Sequence, residues 1–383
     1  MDTASKLPRV GVTIFTVMSQ LAAEHGAINL GQGFPDFAVP EPLIDALQRA
    51  MREGRNQYSP MAGIAELRQA IAGKIADCYG ATVDPDQQIT VTSGGSEAIF
   101  DAVHAVVSPG DEVVLLDPCY DCYEPAVLLA GGTPVHVSLD PETFAIDWPA
   151  LSKAVNQHTR LLFINTPHNP SGAILTADDL QQLRGLLEAY PRLLILSDEV
   201  YEHMVFDGAR HESVLRDPFL ASRSFAVSSF GKTYHCTGWK LGYCVAPAEL
   251  SAEFRKVHQY NTFCSFTPAQ YAVAEMIRLH PQHHLDLPAF YQAKRDRFRE
   301  QLLTTRLRPL PVPGGYFQLV DYSAVSDLDD AAFCRWLTTE HKVAAIPLSP
   351  FYAEAPKQQR LARLCFGKNA ETLDSAIERL KKL

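Results

Sequence analysis

Short apolar runs alternate with amphipathic stretches between residues 88 and 246, and this alternation constrains the fold more than any other feature of the sequence. Runs of this length are typical of buried strands, and strands that alternate with helices build mainly parallel sheets. Thr176, followed by leucines at helical spacing, is predicted to cap one intervening helix. The runs comprise residues 88–92, 112–116, 160–164, 192–196, 224–227 and 241–245. We therefore predict an α/β fold with a mainly parallel sheet.

Polar segments follow most of these runs directly. In an open parallel sheet, the carboxyl ends of the strands meet at one edge, and ligands bind in the crevice there. The segments that end these runs are residues 93–96, 117–120, 165–169, 198–201 and 228–232. We expect them to face one common site.

The character of the sequence changes after residue 281, where a charged helical stretch leads through closely spaced prolines into a further strand. This pattern predicts a smaller α+β unit. We expect residues 39–280 to form a large domain and residues 281–383 a small one, with residues 1–38 packed against the small domain.

Charge and composition exclude several classes of function. The 34 basic and 44 acidic side chains give a net charge of −10, which argues against a nucleic-acid partner. The first residues lack the apolar core of a signal peptide, and no apolar run approaches the ~20 residues that span a bilayer. We therefore expect a cytoplasmic protein without membrane contact. Cys119 and Cys122 form a Cys-x-x-Cys without a second pair, so no metal site is predicted.

The segment from Ser228 to Lys240 combines hydroxyl groups with two lysines, directly after an apolar run. One amine that condenses with an aldehyde, together with hydroxyls and a second cation, suits a phosphorylated aldehyde. Lysine pairs are also common on solvated loops, so the two lysines alone would not decide the matter.

A phosphate site is predicted next to this segment. Gly95 and Ser96 lie in a segment that precedes a helix-like run at residues 99–107, and backbone N–H groups at a helix N-terminus bind phosphate. Ser229 and Lys240 would add a hydroxyl and a cation. A second glycine-rich stretch at residues 31–36 lacks the third glycine of a dinucleotide fingerprint, which excludes that interpretation.

Asp198 and Arg363 each lie in or directly after a strand-like run, where an unpaired charge is costly. A protonated pyridine nitrogen would suit Asp198, although an aspartate after a strand can simply cap a helix. The guanidinium of Arg363 suits an amino-acid carboxylate, although a surface ion pair on an edge strand is the alternative.

The segment 228–240 as a whole closely resembles the active-site segment of class I/II aminotransferases, which depend on pyridoxal 5′-phosphate. The similarity extends from about residue 9 to the C-terminus. Further matching motifs are Asn-Pro-x-Gly at residues 169–172, Asp-Glu-Val-Tyr at 198–201, Arg-x-Cys-Phe at 363–366, and residues 30–37 and 56–63. This resemblance implies fold type I, in which helices cover both faces of the large-domain sheet and a smaller α+β domain follows.

The resemblance also implies roles in cofactor binding. Lys232 would hold the cofactor covalently, and Asp198 would bind its pyridine nitrogen. Asn169 and Tyr201 would hydrogen-bond its phenolate oxygen. Tyr120 would stack on the ring, with packing in the core as the alternative.

Substrate contacts and a partner subunit are implied in the same way. Arg363 and the Gly33 N–H would bind the substrate carboxylate, and Asn165 would line the substrate side. Two aromatic residues, Phe15 and Phe263, align with aromatic residues of the substrate pocket in the kynurenine/glutamine-type branch of the family. Tyr58 would reach the phosphate of the neighbouring subunit, which implies an obligate homodimer with composite active sites.

Within the family, the sequence is most similar to the methionine and kynurenine aminotransferase branch. No second arginine can be assigned to a substrate side chain, so we expect a neutral, apolar donor such as methionine or an aromatic amino acid, a 2-oxo acid acceptor and ping-pong kinetics. Kynurenine or glutamine transamination and cysteine-conjugate β-lysis on the same fold are the alternatives. A transcription regulator of the same fold is a further alternative, but we do not expect it, because the residues before the core are too few for a DNA-binding module and the negative charge argues against one.

Overall fold

The computed structural model describes residues 4–383, and its largest element is a seven-stranded sheet. The described helices are α1 (Ile14–Glu24), α2 (Glu41–Arg52), α3 (Ala65–Tyr79), α4 (Gly95–Val106), α5 (Tyr123–Leu129), α6 (Trp148–Ala154), α7 (Ala177–Ala189), α8 (Pro218–Ala221), α9 (Phe230–Thr233), α10 (Ala248–Asn261), α11 (Thr267–Leu279), α12 (Gln282–Leu302), α13 (Asp330–Thr339) and α14 (Ala370–Leu380). The strands are β1 (Ile28–Asn29), β2 (Ile89–Thr92), β3 (Glu112–Asp117), β4 (Thr133–Ser138), β5 (Thr159–Asn165), β6 (Leu194–Asp198), β7 (Ser224–Ser229), β8 (Gly242–Val245), β9 (Arg308–Pro309), β10 (Phe317–Asp321), β11 (Val343–Ala344), β12 (Ile346–Pro347) and β13 (Leu361–Cys365).

The large sheet has the strand order β2-β8-β7-β6-β5-β3-β4. Only β8 runs antiparallel to its neighbours β2 and β7, so the mainly parallel α/β sheet is confirmed. Both faces are covered: Val113 and Leu115 pack into one apolar cluster, and Val114 and Leu116 pack into another. Burial on both faces explains why these strands are continuously apolar.

The prediction omitted β4, the edge strand that pairs with β3. Its side chains are mostly half-buried or exposed, so it lacks the continuous apolar run of the central strands. The predicted cap on α7 is present, because Thr176 and Asp179 form a reciprocal capping box.

The C-terminal part contains an antiparallel sheet of order β12-β13-β10-β9. Its core also includes residues from the start of the chain, since Met18 and Leu30 lie in one cluster with Phe333 and Leu364. Strand β1 pairs in parallel with β11. The proposed domain boundaries at residues 38 and 280 stay predictions. No helix within residues 4–383 combines the length and apolar character that crossing a bilayer requires.

Candidate active site

A cavity of about 300 Å³ lies at the carboxyl ends of the central strands. Segments from the N-terminal part of the chain and from β13 also line it. Of the residues predicted for the site, those that line the cavity are Phe15, Gly33, Gly95, Ser96, Tyr120, Asn165, Asn169, Asp198, Tyr201, Ser229, Lys232, Lys240 and Arg363. The fold therefore brings together residues that are more than 300 positions apart in the sequence.

Tyr58 and Phe263 are not part of this cavity. Tyr58 is 85% exposed and Phe263 is 42% exposed, and their rings meet edge to face with centroids 5.6 Å apart. Their predicted roles in a neighbouring subunit's site and in a substrate pocket stay predictions.

Lys232 lies in the short helix α9, which begins directly after Ser229 at the end of β7. Its Nζ donates to the carbonyl oxygen of Gly33 at 3.4 Å. Burial lowers the pKa of Lys232 to about 8, and the charges of Lys240 and Arg363 act in the same direction. An amine with this pKa is partly uncharged near neutral pH, as a nucleophile or general base requires.

The N-terminus of α4 opens into the cavity. Its cap residue is Gly94, whose φ of 86° is in the left-handed region, and no side chain caps the helix. A methyl group on Gly94 would lie 3.4 Å from Lys240 Nζ, so cation and helix terminus are adjacent. Uncapped N–H groups beside a cation form an anion site suited to phosphate.

Asp198 ends β6 and is 4% exposed. Its Oδ2 accepts from the Tyr123 hydroxyl at 2.6 Å, and Oδ1 accepts from the Val200 N–H at 3.3 Å. Burial raises the pKa of Asp198 to about 6, although these hydrogen bonds and the charge of Lys232 oppose that rise. A buried carboxylate with only neutral donors suits a cationic ligand.

Two asparagines connect the strand ends to Arg363. Asn165 donates from Nδ2 to the carbonyl oxygen of Asp198 at 2.8 Å, and its Oδ1 accepts from the Asn169 N–H at 2.7 Å. Asn169 Oδ1 in turn accepts from Arg363 Nη1 at 2.7 Å. These bonds fix the turn that follows β5, so the Asn169 amide has a defined direction.

Arg363 is 1% exposed and lies in the internal strand β13, which excludes an edge-strand surface ion pair. Besides Asn169, its only acceptor is the carbonyl oxygen of Gly31, 2.8 Å from Nη2, and the Nε has no partner in the described part of the chain. The guanidinium lies 4.0 Å from the ring centroid of Phe317. A buried guanidinium with neutral partners and an unused N–H fits a bidentate carboxylate.

Tyr201 and Gly33 complete the wall near Lys232. The Lys232 Nζ lies 5.5 Å from the ring centroid of Tyr201, whose pKa is raised by burial so that its hydroxyl stays protonated. Gly33 has no room for a side chain, because a Cβ would lie 2.7 Å from the Phe317 ring. Its carbonyl oxygen also accepts from the Tyr316 hydroxyl at 2.5 Å.

The sequence analysis missed several residues of the site. Gln32, Thr237 and Phe317 line the cavity, and Tyr123 lies behind Asp198. Gln32 stands between two conspicuous glycines, and Tyr123 follows Tyr120 by about one helical turn. These sequence positions, next to residues already assigned to the site, were the only indication of a role, because neutral side chains carry no chemistry that a pattern alone can identify.

The family profile described as aminotransferase class I and II matches residues 25–380. The chain belongs to the class I and II aminotransferases. The resemblance inferred from the motifs is thereby confirmed, as are the enzyme class and the fold type. Members of this family use pyridoxal 5′-phosphate.

This aminotransferase is 52% identical over 379 residues to the methionine aminotransferase of Escherichia coli, covering 99% of this chain and 98% of the relative. It is 34% identical to kynurenine–oxoglutarate transaminase 3 of Rattus norvegicus, covering 98% and 89%. A solved structure of an E. coli protein with methionine aminotransferase function matches with a TM-score of 0.97 at 52% identity, over 100% of both chains. N-succinyldiaminopimelate aminotransferase of Mycobacterium tuberculosis matches with a TM-score of 0.96 at 41% identity, also over 100% of both chains.

Proposed function

We propose that this aminotransferase moves the amino group of methionine, and of aromatic amino acids, to a 2-oxo acid by a ping-pong mechanism. The observation that carries this proposal is a buried guanidinium with an unused Nε, in the same cavity as a lysine amine of lowered pKa. An α-amino acid presents the matching pair of groups, a carboxylate and an amine on one carbon. The preference for methionine is supported by the 52% identity to an enzyme of that name.

The cavity fits pyridoxal 5′-phosphate. When bound, this cofactor supplies an aldehyde for covalent attachment of amines and a pyridine ring that withdraws electrons from the attached carbon. Asp198 would bind the pyridine nitrogen, Asn169 and Tyr201 the phenolate oxygen, and Tyr120 one face of the ring. The remaining residues, which would hold the phosphate, are Gly95, Ser96, Ser229 and Lys240. The uncapped N-terminus of α4 beside a cation supports that assignment.

Substrate binding and proton transfer follow from the positions of two cations. Arg363 binds the α-carboxylate through its fork, aided by the Gly33 N–H, and thereby fixes the orientation of the α-carbon. Lys232 first holds the cofactor. Once a substrate amine had taken its place, the free Nζ of Lys232 would accept the proton from the α-carbon and deliver it to the carbon that was the cofactor's aldehyde.

The lining of the cavity favours an apolar substrate side chain. Among the described lining residues, the cations are Lys232, Lys240 and Arg363, and each already has a proposed partner. A second substrate carboxylate would therefore lack a counter-charge. Four aromatic rings line the same cavity, and a thioether packs well against such rings; they belong to Phe15, Tyr120, Tyr201 and Phe317.

We also propose a homodimer with shared active sites. The exposed rings of Tyr58 and Phe263 pack together, and Phe263 has two further exposed aromatic neighbours in sequence, Tyr260 and Phe266, at 86% and 50% exposure. Exposed aromatic side chains of this size are typical of subunit interfaces. A cytoplasmic location stays a prediction and is supported by eight free cysteines.

A donor panel tests the proposed function. Methionine, phenylalanine, kynurenine, aspartate and N-succinyldiaminopimelate would each be offered with several 2-oxo acids, and kcat/KM would be measured from product formation. We expect methionine to lead and aspartate to be poor, and a preference for aspartate would contradict the proposal. Kynurenine use is the second candidate because of the rat relative. A β-lyase would instead release pyruvate and ammonia from a cysteine conjugate without any acceptor acid.

A further inference from the structure

Tyr123, the first residue of α5, is a buried side chain that the proposed mechanism does not yet use. It is 2% exposed, and its hydroxyl donates to Asp198 Oδ2 at 2.6 Å. Its ring packs on Phe163 with centroids 4.7 Å apart, which fixes the direction of the hydroxyl. The same ring meets Tyr120 edge to face at 5.9 Å. One side chain therefore contacts two residues of the cavity.

Asp198 depends on this contact more than on any other. Its second oxygen has a single donor, the Val200 N–H, at the long distance of 3.3 Å. No lysine or arginine in the described residues forms an ion pair with it, so two neutral donors and the more distant charge of Lys232 compensate for the loss of hydration. A short hydrogen bond from a hydroxyl to a carboxylate is among the stronger ones in proteins.

We propose that Tyr123 is a positioning residue: its hydroxyl keeps the Asp198 carboxylate ionised and turned toward the pyridine nitrogen of the cofactor. This inference rests on the proposed function, in which Asp198 binds that nitrogen. A carboxylate oxygen that accepts from Tyr123 leaves the other oxygen available, because Val200 N–H holds it only weakly. The same packing sets the position of the Tyr120 ring, which would cover one face of the cofactor.

The charged and titratable surroundings of Asp198 agree with this role. Lys232 favours the ionised carboxylate and Glu199 opposes it. The other nearby acids stay neutral, since burial raises the pKa values of Tyr120, Tyr201 and Cys122. Burial raises the pKa of Tyr123 itself well above its ordinary value, so it remains a donor across the working range of pH. Losing this donor would raise the pKa of Asp198 further.

The test compares Tyr123→Phe with the matched control Tyr322→Phe. Tyr322 is equally buried and donates one hydrogen bond, to the Leu328 carbonyl oxygen at 3.0 Å, but lies in the C-terminal core. Cofactor affinity would be measured by titrating each cofactor-free protein with pyridoxal 5′-phosphate and following fluorescence. We expect Tyr123→Phe to bind about 10- to 100-fold more weakly, the range for one hydrogen bond to a charged group. The control should bind like the parent protein.

Two further measurements separate positioning from a general packing effect. The acidic limb of the affinity profile against pH should move to higher pH in Tyr123→Phe. In an Asp198→Asn background, removing the Tyr123 hydroxyl should change the affinity by less than about 3-fold, since the two residues act as one unit.

Each outcome has a distinct meaning. Equal affinities and an unmoved acidic limb for Tyr123→Phe and the parent protein would overturn the inference alone. If Tyr123→Phe weakened cofactor binding just as much in the Asp198→Asn background, the inference would be overturned as well, because Tyr123 would then act independently of Asp198. Failure of the parent protein itself to take up the cofactor would overturn the proposed function, and the inference with it.

Discussion

The role of Arg363 can be tested quantitatively, because the structure shows what its guanidinium already binds. Two of its five N–H groups donate to neutral oxygens, those of Asn169 and Gly31, and the Nε–H has no partner among residues 4–383. A substrate carboxylate can therefore take two charge-assisted hydrogen bonds without displacing either existing one. Replacing Arg363 by alanine removes both bonds and leaves the carboxylate buried without a counter-charge.

The expected cost follows from the burial of this pair. Breaking a buried ion pair by removing one partner costs about 3–5 kcal/mol, which corresponds to a loss of about 150- to 5,000-fold in kcat/KM. Arg363→Lys keeps the charge but not the fork. It should lose one of two hydrogen bonds to a charged group, about 1.5–3 kcal/mol.

The decisive assay uses two amines. Methionine and 3-(methylthio)propylamine share one side chain, but only methionine carries the carboxylate. Rates of the first half-reaction would be measured by stopped-flow absorbance. Arg363→Ala should lose activity strongly toward methionine and little toward the amine.

The control for that assay is Arg295→Lys. Arg295 is also buried, at 6% exposure, but pairs with Asp207 and Asp296 outside the cavity. This variant should be less stable yet keep its normal preference for methionine over the amine. If Arg363→Ala lost activity equally toward methionine and toward 3-(methylthio)propylamine, the carboxylate would not bind at Arg363 and the reasoning would be wrong.

Three other predictions concern the remaining parts of the site. Lys232→Ala should abolish turnover, and borohydride reduction followed by peptide mapping should label residue 232 in the parent protein; a label elsewhere would refute the assignment. The folded-state pKa of Asp198, about 6, lies above its ordinary value, so this carboxyl destabilises the ligand-free fold increasingly as pH rises from about 4 to about 6, fully above that window and not below it. Asp198→Asn should therefore raise the unfolding free energy of the cofactor-free protein by up to ~3 kcal/mol at about pH 7.5 and change it little near pH 4. Urea denaturation at the two pH values measures this, and equal effects at both would contradict the prediction. Inactive Tyr58→Ala and Lys232→Ala proteins can be unfolded together and refolded so that mixed dimers form. About half of the dimers should then be mixed, and each mixed dimer should have one intact site, so about a quarter of the parent activity should return. No recovery would mean that Tyr58 contributes to the site of its own subunit or to no site.

The sequence was sufficient for the parts of the fold that local patterns determine. The central strands are buried on both faces, so their apolar runs stand out, and charged or hydroxyl side chains after them mark the edge where Asp198 and Lys232 lie. Strand β4 was missed because it is an edge strand with mixed polarity.

Contacts between distant segments could not be predicted from pattern. That Tyr123 meets Asp198 at the end of β6 depends on how α5 packs against α4, β3 and β4, and no local periodicity encodes such packing. The unused Nε of Arg363 depends on the positions of Gly31 and Asn169, which lie 332 and 194 residues away. Such pairings come from tertiary packing alone.

The buried Arg363, which has no ion-pair partner among residues 4–383, also limits how the stability of this enzyme can be improved. The arginine at this position packs among Phe15, Phe317 and Phe351, and no acidic side chain within residues 4–383 forms an ion pair with it. Selection for thermostability alone would therefore favour replacing Arg363 with an apolar residue, and the more stable protein would no longer bind the carboxylate of amino acids. Directed evolution toward thermostability would need to keep substrate present at every round.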